Sequence, residues 1–259
     1  MNFVPQTAQY VAFVDYHEAF AVSGNPQLFG TQAILQFYEL HLNITVQSVL
    51  YDLDIQLPSS HFNSVAVTGS VIKIRNETAR MLLEALSKVS LTETNYDGYA
   101  IYRFLLISPS EQKLISAYMA IVEGSMLVFS NDPSFGKYAV ETILDQYSSK
   151  APSLFDRSEV RQGIYAAGAS DQPFIGLFVG AFGSQFENTG MIVKSVISKG
   201  REIRVTRSLL FANSDLATNQ FGEAHRVYRD ANSYRILDQW LVVAYNYSPD
   251  RLRGELTGI

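Results

Sequence analysis

The stretch ISAYMAIVEGSMLVFSNDPSFGKYAVETILDQY, residues 115–147, decides the fold, because it predicts a strand, a turn, a second strand and a helix in succession. Residues 115–122 and 126–129 are apolar on both faces, which is typical of strands in the middle of a sheet. Between them, Gly124 suits a tight turn because glycine adopts positive φ at little steric cost. The sequence therefore predicts a buried β-hairpin here.

A helix is predicted to follow this hairpin. Asp132 stands at the expected N-cap, and Pro133 follows at the first helical position, where its missing N–H does no harm. One apolar stripe then recurs every four residues: Phe135, Ala139, Ile143 and Tyr147. This spacing places the stripe on one side of a helix, so the helix is expected to pack on the sheet.

The rest of the chain repeats these patterns. Residues 4–16 are predicted as a short loop that runs into a strand, and further strands are predicted at 62–74, 89–94, 99–107, 174–182, 191–198, 202–211 and 234–247. Helices are predicted at 27–41, from Asn76 as cap to 86, at 158–166, and from Ser214 or Asp215 onward. Residues 44–56 fit a helix or a strand, and the helix is favoured. The fold class is therefore predicted as α+β with two related halves, 1–150 and 151–259, each a mainly antiparallel sheet with helices packed on it.

Composition places the chain among globular proteins. The 259 residues are 47% hydrophobic, and no apolar run approaches the roughly 18–20 residues that cross a bilayer. Charged residues make up 17%, against about 25% in an average domain, which favours an extracytoplasmic surface. The chain has no cysteine, so disulfides and thiolate metal sites are excluded.

The charge distribution argues against a dedicated nucleic-acid-binding protein. The net charge is −5, with 10 Lys+Arg against 18 Asp+Glu in residues 1–189 and 10 against 7 in residues 190–259. Opposite signs favour association of the two parts. Arg201, Arg204 and Arg207 form no phosphate-binding stripe, because on a strand Arg204 would face away from the other two.

The best polar cluster is Asp15, His17 and Glu18, at the end of the first predicted strand. An Asp and a His could pair for base catalysis or bind a metal. A zinc-binding helix, however, needs a second His four residues after the first, and Ala21 stands there. The favoured interpretation is that Asp15 caps a helix and its neighbours are solvated. No catalytic residue, cofactor or metal is therefore predicted.

Other chemistry-bearing residues are scattered. Three histidines have no metal-like partner: His41, His61 and His225. Asp52 and Asp54 would share a face on a strand and could then converge on a cation, but they diverge on a helix. Three glycines lack the spacing of nucleotide-binding loops, which favours close backbone packing: Gly176, Gly180 and Gly183.

Three N-glycosylation sequons begin at Asn43, Asn76 and Asn246, close to the number that composition predicts by chance. The chain begins without a basic leader or a cleavage site, so Met1 is interpreted as a start placed after a removed leader or anchor. These features predict a possible glycoprotein tethered to a membrane only through a missing N-terminal segment.

Several segments resemble a loose group of uncharacterised secreted or membrane-anchored proteins of archaea and bacteria. They are VPQTAQYVAFVDYHEAF, YDGYAIYRFLL, AYMAIVEGSMLVFSNDPSFGKYAVETIL and SLFDRSEVRQGI. Members of that group have a Val-Pro-x-x-Ala segment entering a Tyr-Val-x-x-Val-Asp strand, and later a strand-Gly-strand unit followed by a helix. The resemblance implies an extracytoplasmic α+β domain and supplies no catalytic residue.

The favoured function is a non-catalytic extracytoplasmic domain of the cell envelope, of archaeal origin, that binds a ligand or partner. A first alternative is a hydrolase with a groove site near Asp15, His17 and Glu18. A second is a homo-oligomeric envelope subunit that assembles through exposed sheet edges. The sequence does not identify the ligand or the partner.

Overall fold

A computed structural model describes residues 2–24, 39, 43–58, 66–107, 113–168, 173–180 and 189–256. The strands are β1 (Tyr10–Asp15), β2 (Val49–Pro58), β3 (Ala66–Ile74), β4 (Thr92–Tyr96), β5 (Tyr99–Ile107), β6 (Leu114–Val122), β7 (Met126–Ser130), β8 (Phe174–Gly180), β9 (Thr189–Lys199), β10 (Glu202–Phe211), β11 (Ser233–Leu237) and β12 (Trp240–Tyr247). The α-helices are α1 (Tyr16–Ser23), α2 (Asn76–Val89), α3 (Gly136–Ser149), α4 (Ser158–Ala166), α5 (Ser214–Asn219), α6 (Phe221–Val227) and α7 (Leu252–Leu256). Antiparallel pairing with helices packed on it confirms the α+β prediction.

The chain divides into two compact units. Unit 1 comprises Met1–Gln9 and Pro26–Leu154, and unit 2 comprises Tyr10–Asn25 and Phe155–Ile259. The predicted domain limits of 1–150 and 151–259 differ from this division at the first strand and helix, which belong to unit 2.

Unit 1 contains a six-stranded antiparallel sheet in the order β2-β3-β7-β6-β5-β4. The predicted central hairpin is confirmed, with Val122 opposite Met126 and positive φ at Glu123 and Gly124. Helix α3 packs closely on this sheet, because a Cβ at Gly69 of β3 would lie 2.7 Å from Ile143 Cδ1. The fully buried middle of the predicted apolar stripe thus faces the sheet.

The last turn of α3 is joined to both hairpin turns of unit 1. The Tyr96 hydroxyl donates to the Asp145 carboxylate at 2.9 Å, and the Tyr147 hydroxyl donates to Glu123. These bonds to a negative group favour the neutral phenol, which raises the pKa of each tyrosine to about 12. Phe3 stacks on the Tyr147 ring at 4.5 Å, so the beginning of the chain is fixed to the same place.

Unit 2 contributes six antiparallel strands, in the order β1-β8-β9-β10-β12-β11. Helix α4 lies on one face, where a Cβ at Gly163 would be 2.6 Å from both Trp240 Cη2 and Val193 Cγ2. Helix α7 lies on the opposite face, since its Glu255 contacts Lys194, the strand neighbour of Val193. In both units, a strand that precedes a helix pairs with the last strand of the unit. In unit 1, β3 precedes α2 and pairs with β7; in unit 2, β10 precedes α5 and pairs with β12.

Several sequence predictions about boundaries are confirmed. Strands 99–107 and 202–211 and helix 158–166 have the predicted limits, and a helix begins at Ser214. The Asp97-Gly98 turn has positive φ at both residues, which joins β4 to β5 as expected for a two-residue hairpin.

Other boundaries were predicted wrongly. Residues 49–58 form a strand and not a helix, because they pair along their length with β3. Helix α3 begins at Gly136, because the Asp132 carboxylate accepts the N–H groups of Ser134 and Phe135 and so caps a separate turn before the helix.

Further corrections concern helix ends. Asn76 is the first residue of α2, and the N-cap is Arg75, which makes no capping side-chain bond. The helix continues to Val89, so β4 starts only at Thr92.

Near the end of the chain, the helix from Ser214 is two short helices, α5 and α6, and α7 after β12 was not predicted. The predicted helix at 27–41, apart from residue 39, and the ends of two predicted strands, 62–65 and 181–182, lie outside the described residues. Within the described ranges, no helix is both long and apolar enough to cross a membrane.

Candidate functional site

The structure gives the predicted polar cluster the geometry of a helix start. Asp15 is the N-cap of α1, and its Oδ1 accepts the Glu18 backbone N–H at 2.9 Å. His17 is 76% exposed, with Nδ1 3.9 Å from the Glu18 carboxylate. The favoured interpretation of Asp15 as a cap is confirmed, and the carboxylate is not directed at the His17 ring.

The other scattered candidates are explained by packing. The His225 ring stacks on Tyr234 at 3.7 Å, while Glu223 pairs with Arg226. His41 and His61 lie outside the described residues. In the ranges that the structure describes, no group of three His, Asp or Glu side chains is placed to hold a metal ion.

Asp52 and Asp54 share one face because they lie on β2. Ser70 of β3 donates its hydroxyl to Asp54 Oδ1 at 2.5 Å. Burial raises the pKa of the Asp54 carboxyl, and the Ser70 hydrogen bond opposes this shift. Among the described residues, no third His, Asp or Glu is placed with these two to hold a cation.

A cluster of charged and aromatic side chains lies on one face of the unit 2 sheet. We call it the Lys194 cluster, and its members are Lys194, Arg207, Tyr228, Tyr245 and Glu255. Antiparallel register brings the cations together, since Lys194 of β9 lies directly opposite Arg207 of β10. Tyr245 of β12 is opposite Val205, two residues from Arg207 and so on the same face.

Lys194 is the buried centre of this cluster, with 1% of its side chain exposed. Its Nζ donates to the Glu255 carbonyl oxygen at 2.7 Å and lies 3.0 Å from Glu255 Oε2. The Phe178 ring is 5.2 Å away on the neighbouring strand. Burial lowers the pKa of Lys194, and the charge of Glu255 opposes that shift.

Arg207 is 31% exposed and lies near two tyrosine rings. Its guanidinium carbon is 5.8 Å from the centroids of both Tyr228 and Tyr245. Arg207 Nη2 is 3.7 Å from Glu255 Oε2, and the buried Nε has no hydrogen-bond acceptor among the described residues. Arg207 is therefore less fully satisfied than Lys194.

The aromatic side of the site continues to a second arginine. Tyr245 stacks on Tyr247 with centroids 5.5 Å apart, and the Arg251 guanidinium lies 5.2 Å from the Tyr247 centroid. Burial raises the pKa of Tyr245 and Tyr247, while the positive charge of Arg207 opposes both shifts. Two cations thus flank a pair of stacked, neutral phenols.

Helix α7 carries Glu255 to this site through apolar contacts. Leu252 and Leu256 are buried, and a Cβ at Gly176 of β8 would lie 2.6 Å from Leu256 Cδ2. The prediction of close packing is therefore confirmed at Gly176, while Gly183 lies outside the described residues. The close approach places the last described helix directly over the strand.

The cluster has the chemistry of an anion site. Two cations share one carboxylate, and its hydroxyl groups belong to tyrosines whose pKa is raised, so none is an activated nucleophile. Sequence reasoning missed Lys194, although a single charged residue within the apolar stretch 191–197 was a usable signal. Glu255 does not lie within an apolar stretch, so the sequence did not single it out.

Comparisons with known proteins identify the fold. No family model and no curated protein sequence matches this chain. Two solved structures, titled crystal forms IV and I of TP0453, match it at 12% identity with TM-scores of 0.58 and 0.55. Both matches cover 99% of this chain and 96% and 95% of the TP0453 chain, respectively. At this identity the likeness shows a shared fold and nothing about activity.

Proposed function

We propose that this chain is a non-catalytic extracytoplasmic domain of the cell envelope that binds a small anionic ligand at the Lys194 cluster. The observation that carries the proposal is that Arg207, which lies opposite the buried Lys194, has a guanidinium nitrogen without an acceptor among the described residues. Lys194 and Arg207 share the carboxylate of Glu255, and Arg207 Nε has no acceptor among the described residues. Cations held in a low-dielectric setting attract a further anion strongly.

The hydrolase alternative has less support from the same structure. The Asp15 carboxylate accepts a hydrogen bond as the N-cap of α1, and the His17 side chain is 76% exposed. Self-assembly and the resemblance to the secreted archaeal and bacterial group stay predictions.

Phosphate is expected to stabilise the protein through Arg207. In thermal melts at constant ionic strength, replacing chloride by inorganic phosphate should raise the Tm of the wild type in a saturable way, because the ligand binds the folded state. Arg207→Gln should abolish this rise. The matched control is Arg204→Gln, since Arg204 lies on the same strand but points to the opposite face. Equal responses from the two variants would contradict the proposed site.

An extracytoplasmic location is supported by composition and by surface chemistry. Only 17% of residues are charged, and the asparagines of all three sequons, Asn43, Asn76 and Asn246, are exposed. In fractionated native cells, the protein is expected outside the cytosol. A glycosidase should shift its gel mobility, and a variant with all three asparagines changed to glutamine should show no shift. Recovery only from the cytosol, without a shift, would refute this location.

A further inference from the structure

The Glu255 carboxylate occupies the place that an external anion would need. Its Oε2 lies 3.0 Å from Lys194 Nζ but 3.7 Å from Arg207 Nη2, and the second distance is too long for a hydrogen bond. The internal carboxylate therefore satisfies Lys194 and leaves Arg207 with unused donors. A ligand with a better-placed oxyanion could bond to both cations.

The element that holds Glu255 is small. Helix α7 has five residues, and helices of this length are not stable by themselves in water. Leu252 and Leu256 are buried and Glu255 contacts Lys194, and the Glu255 side chain is 17% exposed. The Glu255 side chain is therefore partly exposed, and it can leave the cations without disrupting a strand.

The donors that remain define the ligand chemistry. The Arg207 guanidinium carbon lies 5.8 Å from the centroids of Tyr228 and Tyr245, and its Nε has no hydrogen-bond acceptor among the described residues. Planar N–H pairs suit carboxylate and phosphate oxygens, which accept two parallel bonds. Lys194 adds a point charge beside them. The fitting ligands are small carboxylates and phosphate esters.

We propose that Glu255 is a built-in competitor for this site, and that a carboxylate or phosphate ester binds by displacing it from Lys194 and Arg207. The inference rests on the proposed anion-binding function and adds its regulation. Ligand binding releases the Glu255 side chain to solvent and loosens α7 from the sheet. The affinity for the ligand therefore depends on how much more strongly the ligand binds Lys194 and Arg207 than the Glu255 carboxylate does.

The test is a titration with methyl phosphate and with acetate, followed by NMR of backbone amides. Glu255→Gln removes the competing charge but keeps the side-chain length, so it should bind methyl phosphate about tenfold more tightly than the wild type, or about 1.4 kcal/mol. Glu202→Gln, an exposed glutamate at the start of β10, is the matched control and should not change the affinity. Glu255→Asp keeps the charge on a shorter side chain and should give an intermediate gain.

A second measurement follows the helix itself. Saturating methyl phosphate should speed amide hydrogen exchange in residues 252–256 of the wild type and slow it in β9. If the wild type binds but Glu255→Gln and Glu255→Asp bind no more tightly, the competitor role is overturned while anion binding stands. If neither the wild type nor these variants bind either probe, both proposals are wrong. A purely structural Glu255 would lower stability in these variants without raising affinity.

Discussion

Replacing Glu255 by alanine is expected to lower the free energy of unfolding by about 3 kcal/mol at pH 7, since it strips a buried lysine of its counter-charge. Lys194 is 1% exposed and contacts Glu255 through both the carboxylate and the carbonyl oxygen. The carbonyl bond survives the substitution, but the charge compensation does not. Urea denaturation followed by circular dichroism measures the loss.

The double variant Lys194→Met, Glu255→Met separates the cost of an unpaired charge from the value of the pair. Replacing both partners of a buried ion pair by apolar residues of similar size is often neutral. The double variant should therefore recover most of the stability that Glu255→Ala loses. A loss below about 1 kcal/mol in Glu255→Ala, or a double variant as unstable as the single one, would contradict this account.

The penalty in Glu255→Ala should also shrink as pH rises from 7 toward 9.5. Burial already lowers the pKa of Lys194 below the unfolded value, and Glu255 is the main group that opposes this. Without Glu255 the folded pKa falls further. At pH values between the folded and the unfolded pKa of Lys194, the unfolded chain binds one more proton than the folded chain. The free energy of unfolding of the variant therefore increases with pH. A constant difference from the wild type across this range would count against the mechanism.

Gly163→Ala is expected to destabilise the protein by about 2 kcal/mol through overpacking. The added Cβ would lie 2.6 Å from Trp240 Cη2 and 2.6 Å from Val193 Cγ2, so either α4 or the indole must move. The strain has to exceed the roughly 1 kcal/mol that alanine gains over glycine within a helix. Trp240 is the single tryptophan of the chain, so its fluorescence reports the displacement directly.

Gly222→Ala is the matched control for this substitution. Gly222 lies in α6, and a Cβ there would meet no atom within 4 Å. Alanine favours a helix more than glycine does and causes no strain at this position, so the free energy of unfolding should rise by up to about 1 kcal/mol. The tryptophan fluorescence should not change. Adding Val193→Ala to Gly163→Ala should restore part of the lost stability. Equal stabilities for the two glycine variants would show that the contact at Gly163 is not tight.

Local signals explain which elements could be predicted. The Asp97-Gly98 turn and the Glu123-Gly124 turn demand positive φ, and the strands beside them carry their own apolar pattern, so both hairpins were found. Residues 49–58 were assigned wrongly because their conformation is decided by pairing with β3 and not by their own propensity.

The site was beyond sequence reasoning for a related reason. Lys194 and Glu255 are separated by 61 positions, and the pairing of β8 with β9 and the close packing of Leu256 at Gly176 bring them together. Asp15, in contrast, was correctly interpreted as a cap because its partner, Glu18, is three residues away. Pairs that are close in the chain can be predicted from its pattern, and pairs assembled by a sheet cannot.

The contacts at the end of α3 have a mechanical consequence for unit 1. Phe3 stacks on Tyr147, Tyr147 bonds to the β6–β7 turn, and Asp145 accepts a bond from the β4–β5 hairpin. A pulling force applied at the Phe3 side chain is therefore passed through the Tyr147 ring to α3 and, through the two hydrogen bonds, to two hairpins.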